Sequence, residues 1–378
     1  MLADTEVLVV GGGPAGLATA VELRQRGLEV VVIDRACPPI DKACGEGLMP
    51  DGVRHLVQLG VHLPTHHRAE LRGIRYLDGE IEAQARFRQG TGIGVRRTAL
   101  HRAMVERAEA AGAELIWETP ARGLERDCVL TDRGDARARW IVGADGLHSR
   151  IRRWVGLDSG KAKFSRHGIR RHFGLAPWTD LVEVYWGDHC EAYVTPVATD
   201  EVGVALLWSG EKSDFDRLLQ RFPVLSERLE GAPSTSRDRG AGRLEQRTRA
   251  VYRGRVALVG DAAGYRDAIT GEGMSVAFHQ ARALATSILA GDLGQYARAV
   301  HRLTALPCAL IRALLEVERR PWLRRRLIRA LAREPALFER LLAVHTRELP
   351  PGSLIPGGLI RLVRGLVSAK HVAHVEQL

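Results

Sequence analysis

The sequence lacks any run of eighteen consecutive apolar residues and contains only five cysteines in 378 residues. Without such a run it offers no transmembrane helix, and its N-terminus enters a strand pattern at once, without the features of a signal peptide. The cysteines are odd in number and lack the spacing of metal ligands, which argues against a disulfide framework and a zinc site. We therefore expect a cytoplasmic protein that holds no metal.

Lysine is scarce as well, since only five of the 55 basic residues are lysine. The net charge of +10 would suit a nucleic acid or an anionic membrane as partner. The arginine excess is equally typical of compositional bias, and no nucleic-acid-binding module accompanies it, so we expect no nucleic-acid partner. The length and the hydrophobic content of 45% predict two connected globular domains.

A dinucleotide-binding pattern lies near the N-terminus. An apolar run from Thr5 to Val10 predicts a strand, and a glycine-rich turn and a helix follow it. In this pattern Gly11 allows the tight turn, Gly13 the close approach of a pyrophosphate, and Gly16 the packing of helix on strand. A second strand ends at Asp34, which is placed to accept hydrogen bonds from an adenosine ribose. Strand, loop, helix, strand and terminal acid together predict a bound dinucleotide.

The loop beyond this second strand, residues 41 to 50, concentrates ionisable side chains. Lys42, Cys44 and Glu46 are the candidate catalytic residues, because such a loop can approach the reactive end of the cofactor. A surface turn with a solvated Lys42 is the alternative. Cys44 is equally typical of a small packing residue, since no histidine or second cysteine is adjacent to activate it.

A second glycine-rich stretch lies far along the chain. A short buried strand ends at Gly260 and Asp261, a loop with Gly271 and Gly273 follows, and a helix opens near Met274. The helix N-terminus offers free backbone N–H groups to an electron-rich group. The Asp261 carboxylate suits the hydroxyl of a sugar or sugar alcohol.

Strand patterns between these stretches predict a second domain. Residues 73 to 87 form a strand-turn-strand pattern, and strands over 182 to 186, 190 to 196 and 202 to 207 predict an antiparallel sheet. One face of that sheet is expected to cover the cofactor. The aromatic residues expected to supply surface there are Tyr185, Trp186, Tyr193 and Trp208.

The chain after residue 300 is helical and rich in arginine. The segment 319 to 333 predicts an amphipathic helix, with Trp322 and Leu323 at the start of its apolar spacing. Such a helix contacts an anionic membrane or a lipid-like substrate carrier, or it docks on the protein and leaves a solvated basic face. Proline residues at 350, 351 and 356 break the tail into short helices.

Together, these motifs resemble those of the flavoprotein monooxygenase superfamily with the p-hydroxybenzoate hydroxylase fold. The resemblance covers about residues 1 to 300 and implies that FAD is the bound dinucleotide. It implies that Arg97, just before a predicted helix, lies near the FAD phosphates. It also implies that Asp145, after a third strand, belongs to a motif associated with the pyrophosphate and with pyridine nucleotide, and that Asp261 holds the ribityl chain.

Within that superfamily, residues 42 to 48 and 270 to 273 are most similar to the geranylgeranyl reductase-related branch. Two departures stand out: Ala268 replaces the usual proline, and residues 191 to 196 lack the aromatic pattern that lines the isoprenoid tunnel of prenyl reductases. The halogenase motif Trp-x-Trp-x-Ile-Pro is absent.

The predicted fold is α/β: a Rossmann-like FAD-binding domain with an inserted antiparallel β-sheet substrate domain and a helical C-terminal region. The predicted boundaries are 1–72, 93–165 and 245–300 for the FAD-binding domain, 73–92 and 166–244 for the substrate domain, and 301–378 for the C-terminal region. The predicted cofactor contacts are Gly11, Gly13, Pro14, Ala15, Gly16, Asp34, Arg35, Arg97, Asp145, Gly260, Asp261, Gly271, Gly273 and Met274.

The resemblance implies an FAD-dependent oxidoreductase, and we expect a monooxygenase that acts on an aromatic or polyketide-like natural-product intermediate through a flavin C4a-hydroperoxide. A flavin-dependent reductase of isoprenoid double bonds is the alternative, with Cys44 or a neighbour near the proton donor. A non-catalytic flavin-binding protein is the third hypothesis. We expect a hydrophobic or aromatic small-molecule substrate and peripheral membrane contact through the basic C-terminal helices.

NADPH or NADH is expected to reduce FAD transiently, without a nicotinamide domain of its own. No second complete G-x-G-x-x-G is present, because the segment 240 to 242 lacks the third glycine and the strand context. No general base is evident from the sequence. The histidines that qualify by type are His148, His167, His172, His189 and His279.

Overall fold

The computed structural model describes residues 4–161 and 166–354. Its strands are β1 (Thr5–Val10), β2 (Val30–Ile33), β3 (Gly47–Leu48), β4 (Arg68–Leu71), β5 (Gly73–Asp78), β6 (Ile81–Arg86), β7 (Gly92–Val95), β8 (Glu114–Ile116), β9 (Ala121–Glu125), β10 (Cys128–Thr131), β11 (Ala136–Gly143), β12 (Asp158–Lys161), β13 (Arg166–Phe173), β14 (Leu181–Gly187), β15 (Cys190–Ala198), β16 (Glu201–Ser209), β17 (Arg239–Gly242), β18 (Gln246–Thr248), β19 (Tyr252–Arg253) and β20 (Val256–Leu258). Its α-helices are α1 (Pro14–Arg24), α2 (Pro50–Leu59), α3 (Arg97–Ala110), α4 (Arg150–Trp154), α5 (Phe215–Leu219), α6 (Pro223–Arg228), α7 (Gly273–Leu289), α8 (Leu293–Glu318), α9 (Pro321–Arg333) and α10 (Pro335–His345).

The first sheet has its strands in the order β19-β20-β11-β1-β2-β8, with β10 and β9 added beside β11. The central strands β20, β11, β1, β2 and β8 run parallel. The last four residues of β1 are apolar and are buried on both faces of the sheet: Val7 and Val9 belong to one core cluster, and Leu8 and Val10 to another. The carboxyl ends of β1, β11 and β20 therefore meet at one edge, where doubly wound sheets bind ligands.

The second sheet has the order β17-β13-β16-β15-β14-β5-β6. Its neighbours are antiparallel except for β5 and β14, which pair in parallel, with Ile74 opposite Val182. The expectation of a purely antiparallel sheet is corrected at this pair. The reason lies in the connection, because the chain leaves this sheet after β6, builds part of the first sheet, and returns only at β13.

The two faces of the second sheet serve different cores. Tyr185 and Trp208 pack against α5 and α6, whereas Trp186 and Tyr193 belong to the apolar cluster that faces the C-terminal helices. The expectation that all four aromatic residues share one surface is wrong. Successive side chains of a strand point to opposite faces, so Tyr185 and Trp186 cannot lie on the same side.

The C-terminal helices cover the outer part of this second face. Ile328 and Leu331 of α9 and Phe338 of α10 pack with Ala83 and Trp186 of the sheet. The helix predicted over residues 319 to 333 is present as α9, which begins two residues later, at Pro321, a residue favoured at the first helical position; α8 ends before it, at Glu318. A short 3₁₀ helix covers Pro351–Leu354, and the predicted break at residue 356 lies outside the described residues. Among the described helices, none is long and apolar enough to cross a membrane.

Candidate FAD-binding and active site

The glycine-rich turn after β1 requires its glycines for steric reasons. Gly11 has a φ of +118°, and a Cβ there would come within 2.3 Å of the carbonyl oxygen of Ala144. A Cβ on Gly16 would lie 1.8 Å from the carbonyl oxygen of Gly11. At Gly13 there is room, because the nearest neighbour of a Cβ would be the Arg97 guanidinium at 3.7 Å. The turn thus presents an open backbone surface that a diphosphate can approach.

Helix α1 begins directly behind this turn. Gly13 is its N-cap residue and supplies no side-chain cap, Pro14 occupies the first helical position, and Ala15 follows half-buried. The first N–H groups of a helix have no intrahelical acceptor, so they and the helix dipole favour an anion. These residues stand together as the sequence predicts.

Asp34 lies at the carboxyl end of β2 and anchors the turn. Its two carboxylate oxygens accept hydrogen bonds from the backbone N–H groups of Gly12, at 2.7 Å, and Ala36, at 2.8 Å. A carboxylate has further acceptor capacity, so a ribose hydroxyl can still bind it. Arg35 is exposed beside it. His101 was not singled out from the sequence, yet this fully buried residue contacts the carbonyl oxygen of Gly12 at 2.8 Å.

Arg97 opens α3 on the opposite side of the turn. Its Nε is buried and has no hydrogen-bond partner among the residues that the structure describes, although its guanidinium lies near Gly13. A buried guanidinium nitrogen without an acceptor favours a bound anion, since it otherwise loses its hydration without compensation. This is the clearest local indication that a phosphate group completes the site.

Asp145 follows β11, and its carboxylate already accepts hydrogen bonds from residues that follow it in the chain. Its carboxylate accepts from the Ser149 hydroxyl at 2.5 Å and from the N–H groups of Arg150 and Ile151 at 2.6 and 3.2 Å. The side chain thereby fixes the loop that leads into α4. The loop itself approaches the cleft at Gly146, whose Cβ would lie 3.5 Å from the Lys42 Nζ. A direct contact between the Asp145 side chain and a cofactor stays a prediction.

Asp261 follows β20, the neighbour of β11. None of the described residues donates a hydrogen bond to its carboxylate, and burial raises its pKa, against the influence of Arg97, Lys42 and Arg152. Gly260 lets the chain pass against α1, because a Cβ there would meet the Ala15 Cβ at 2.6 Å. Asp261 is therefore a half-buried acceptor held beside the glycine-rich turn, and its role as the ribityl ligand stays a prediction.

The loop after Asp261 leads into α7. Gly271 has a φ of +67°, and Gly273 is the first residue of the helix. The N-cap residue Glu272 makes no side-chain cap, so the first N–H groups of α7 are available to a ligand. Met274 is half-buried there.

The three candidate catalytic residues have different surroundings. Lys42 is exposed, and its Nζ lies 3.5 Å from the position of a Cβ on Gly146. Desolvation and the Arg97 cation lower its pKa, while Asp34 and Asp261 oppose this. Its position suits an anion of the cofactor. Cys44 accepts the Glu46 N–H at 3.3 Å, and desolvation raises the pKa of its thiol, which disfavours the thiolate. Catalysis by either residue stays a prediction.

Glu46 is buried and bonded on both carboxylate oxygens. Oε1 accepts the backbone N–H of Arg97 at 2.7 Å, and Oε2 contacts Nε2 of the buried His172. Arg170 lies beside the same pair and binds Asp41 through its guanidinium. Glu46 therefore joins the start of α3 to the second sheet, which is the geometry of a positioning residue.

A charged cluster that sequence reasoning missed lies beside the loop into α7. Arg166 on β13 pairs with Glu191 on β15, and its Nε lies 3.3 Å from Asp267 of the loop. Desolvation raises the pKa of the fully buried Glu191 to about 7, although Arg166 opposes this. Tyr193, two residues along β15, donates its hydroxyl to the carbonyl oxygen of Ile269 at 3.0 Å. We name Arg166, Glu191, Tyr193 and Asp267 the sheet-face cluster.

Tyr265 connects this cluster to the predicted ribityl site. Its ring lies 3.7 Å from the position of a Cβ on Gly273. Desolvation, followed by the charges of Asp261 and Asp267, raises its pKa well above the usual value, so the phenol stays protonated. The sequence signal for this residue was its place within the glycine-rich loop. The partners of Arg166 and Glu191 could have been foreseen only from strand alternation together with the placement of β13 and β15 on either side of β16.

A second polar cluster lies between α2 and α7. Asp51, His55 and His279 place one ligand atom each within 4.8 Å of one another, a set that could hold a metal ion. Asp51 is, however, already bound by His279 at 2.7 Å and by Arg54 and Arg347 at 3.3 Å. These guanidinium groups compete with a cation for the same carboxylate.

These described groups fit FAD: they are an open glycine turn, an uncapped helix N-terminus, an unsatisfied guanidinium and a half-buried carboxylate without a donor among the described residues. The comparisons with known proteins agree. Residues 4–301 match the FAD binding domain family, and the chain belongs to that family. The resemblance inferred from the sequence is confirmed at this level.

Among curated proteins, a digeranylgeranylglycerophospholipid reductase 2 from Methanosphaera stadtmanae is 26% identical over 301 residues, or 72% of this chain and 75% of that protein. A menaquinone reductase from Mycobacterium tuberculosis is 29% identical over 223 residues, or 54% of this chain and 55% of its own length. The protein is thus an FAD-dependent oxidoreductase related to geranylgeranyl-type reductases.

Solved structures share the fold. A flavoprotein/dehydrogenase from Cytophaga hutchinsonii superposes with a TM-score of 0.79 at 18% identity, covering 91% of this chain and 93% of that one. A mutant of the halogenase PltM in complex with FAD gives a TM-score of 0.71 at 16% identity, covering 99% and 84%. The predicted fold class is confirmed.

Proposed function

We propose that the protein is an NAD(P)H-dependent monooxygenase that hydroxylates an electron-rich aromatic or polyketide-like substrate. The sheet-face cluster supports this proposal, because Arg166 connects the buried Glu191 to Asp267 of the loop into α7, and desolvation raises the pKa of Glu191 to about 7. Removal of the hydroxyl proton of a phenol makes its ring easier to hydroxylate. A general base removes this proton most efficiently when its pKa is near the pH at which the enzyme works. The overall reaction consumes the substrate, dioxygen, NAD(P)H and a proton, and yields the hydroxylated product, water and NAD(P)⁺.

Bound FAD would supply the redox chemistry by accepting a hydride and passing its electrons to dioxygen. Arg97, Lys42 and the N-terminus of α1 would hold the diphosphate, Asp34 the ribose, and Asp261 the ribityl chain. The free N–H groups at the start of α7 would stabilise negative charge on the pyrimidine edge of the ring. Tyr265, protonated and next to this helix, would donate a hydrogen bond to a substrate oxygen.

Glu191 would act as the proton acceptor for the substrate hydroxyl. Arg166 forms an ion pair with the ionised form of Glu191. When Glu191 takes up or releases a proton, the change in its charge therefore occurs next to a buried guanidinium. Asp267 is connected to the same guanidinium and lies in the loop that contacts the cofactor region. A substrate proton could therefore be held close to the reacting ring without free access of bulk water.

The test is oxygen and NAD(P)H consumption by the FAD-loaded protein with a panel of alkylated phenols and polyketide-like rings. We expect coupled consumption and transfer of one atom from ¹⁸O₂ into the product with at least one panel member. Glu191→Gln should lower the turnover rate, whereas Glu183→Gln, a buried carboxyl change on the opposite face of the same sheet, should not. Product formation without label incorporation would contradict the proposal.

A reductase of isoprenoid double bonds is the second candidate. The relatives named above as reductases favour it, as does the apolar cluster of Trp186, Ile269, Ile311 and Phe338 between the sheet and the C-terminal helices. The same loaded protein, reduced under anaerobic conditions, should then add two hydrogens per double bond to a geranylgeranyl substrate. A substrate mass gain of two hydrogens without oxygen consumption would replace the monooxygenase proposal with this one.

A further inference from the structure

Helix α9 presents a continuous basic stripe on its outer side. Trp322, Arg326, Arg329 and Arg333 follow one another at steps of four, three and four residues, so they share one helix face. Trp322 is 59% exposed, and the Arg326 guanidinium lies 5.6 Å from the centroid of its ring. Arg329 and Arg333 are exposed as well. We name these four residues the arginine stripe.

The opposite side of α9 fixes the helix on the protein. Arg324 is buried and binds Asp78 at 2.8 Å, and Ile328 and Leu331 are buried in the cluster beneath. The stripe cannot turn inward without breaking this ion pair. Its outward direction is therefore a property of the fold and not of a mobile helix.

The stripe carries uncompensated charge. Segment 319–333 contains seven arginines and no acidic residue. Arg319 and Arg320 pair with Glu316, but in the described part of the chain Arg326, Arg329 and Arg333 have no acidic partner. An exposed tryptophan flanked by unpaired arginines is the composition of helices that lie in a membrane interface, where the indole and the guanidinium groups meet different depths of the headgroup layer.

We propose that the arginine stripe docks the protein on an anionic phospholipid surface, with α9 parallel to the membrane plane. Charge complementarity carries the proposal: each arginine near such a surface gains about 1 kcal/mol, and the gain falls as salt rises. Trp322 adds apolar burial that salt does not weaken. This inference goes beyond the proposed function and does not depend on it.

The test is co-sedimentation of the FAD-loaded protein with phosphatidylcholine vesicles, with and without about 30 mol% phosphatidylglycerol, at low and high salt. The stripe variant is the triple change Arg326→Glu, Arg329→Glu and Arg333→Glu. Its matched control is Arg102→Glu, Arg133→Glu and Arg139→Glu, three exposed arginines of the first domain. FAD content and circular dichroism show that both triple variants are folded.

We expect binding to the anionic vesicles only, a loss of at least about tenfold in the stripe variant, and retention of binding in the control. Trp322→Ala should weaken binding and leave its salt dependence unchanged. Equal binding to neutral vesicles, or equal losses in the two triple variants, would overturn the proposal. Equally tight binding of duplex DNA would overturn it too, because the stripe would then be a general polyanion surface.

Discussion

The Glu46 carboxylate accepts the backbone N–H of Arg97 at 2.7 Å. This contact joins the loop after β2 to the first residue of α3, and its second oxygen reaches His172 on the other sheet. The guanidinium predicted to bind a phosphate is thus positioned through its own main chain by a side chain of a remote segment.

Glu46→Ala should therefore impair cofactor binding without touching the cofactor. It removes the acceptor of the Arg97 N–H and of His172, and we expect a loss of about 1–3 kcal/mol in unfolding free energy. FAD affinity, measured by fluorescence titration, should fall at least about tenfold. Glu201→Ala, which removes the partner of the adjacent Arg96, is the control and should leave FAD affinity nearly unchanged. Equal effects of the two changes would contradict the positioning role.

Asp261→Asn should lower the affinity for FAD without lowering the stability of the FAD-free protein. The half-buried carboxylate has no hydrogen-bond donor among the described residues, and desolvation raises its pKa, so neutralising it should keep or raise the melting temperature of the FAD-free protein. FAD affinity should fall by about tenfold, because a charged acceptor for the ribityl hydroxyls is lost. Differential scanning fluorimetry and FAD titration measure the two effects. Undiminished FAD affinity would remove Asp261 from the cofactor site.

Glu191 should make the folded state less stable as pH rises. Its folded pKa is raised from the ordinary 4.5 to about 7, so between these values the unfolded chain releases a proton that the folded chain keeps. Stability should fall through this window by up to about 3 kcal/mol and show no further change from this group above pH 7. The charged groups that act on it are Arg166, Glu318 and Asp267, and the Tyr193 phenol lies near it as well.

Urea unfolding at several pH values between 4.5 and 7 measures this slope. Because other carboxyl groups titrate too, the relevant quantity is the difference between the wild type and Glu191→Gln. The free energy of unfolding of the variant should lack the part of the decrease with pH that Glu191 causes. Parallel stability curves for the two proteins would show that Glu191 is ionised throughout.

Arg324→Met should detach α9. The change leaves Asp78 buried without its main partner, and breaking such a pair costs about 3–5 kcal/mol. Arg325→Met is the matched control, because this neighbouring arginine is largely exposed and lies 3.8 Å from the same carboxylate, where an ion pair contributes about 0–1 kcal/mol. Chemical denaturation compares the two, and similar losses would contradict the anchoring role of Arg324.

The residues of the candidate cofactor site could be predicted from local sequence patterns. Each of its motifs is a short contiguous segment, so its role in binding can be inferred without knowing which distant residues it contacts. The motifs are the segment from Gly11 to Gly16, Asp34, and the stretch from Gly260 to Gly273. Their convergence followed from parallel strands that end at one edge, with β11 next to β20.

The substrate half depended on information that no contiguous segment holds. Arg166, Glu191 and Asp267 lie in three separate segments, and their meeting requires the register of β13, β16 and β15. The prediction that Tyr185, Trp186, Tyr193 and Trp208 share one surface was wrong for a similar reason, because it rested on residue type and not on the alternation of side chains along each strand. The role of Glu46 was missed for a related reason, since its partners lie on α3 and on the second sheet.

The parallel pairing of β5 with β14 also constrains how the chain reaches this structure. Gly73 in β5 pairs with Leu181 in β14, and strands β8 to β11 of the first sheet are synthesised between the two. A nascent chain emerging from the ribosome would hold the β5 and β6 hairpin with an open edge until β14 arrives, and such long-range closure is slow. Chaperone demand during synthesis should therefore be concentrated in the interval between these two strands.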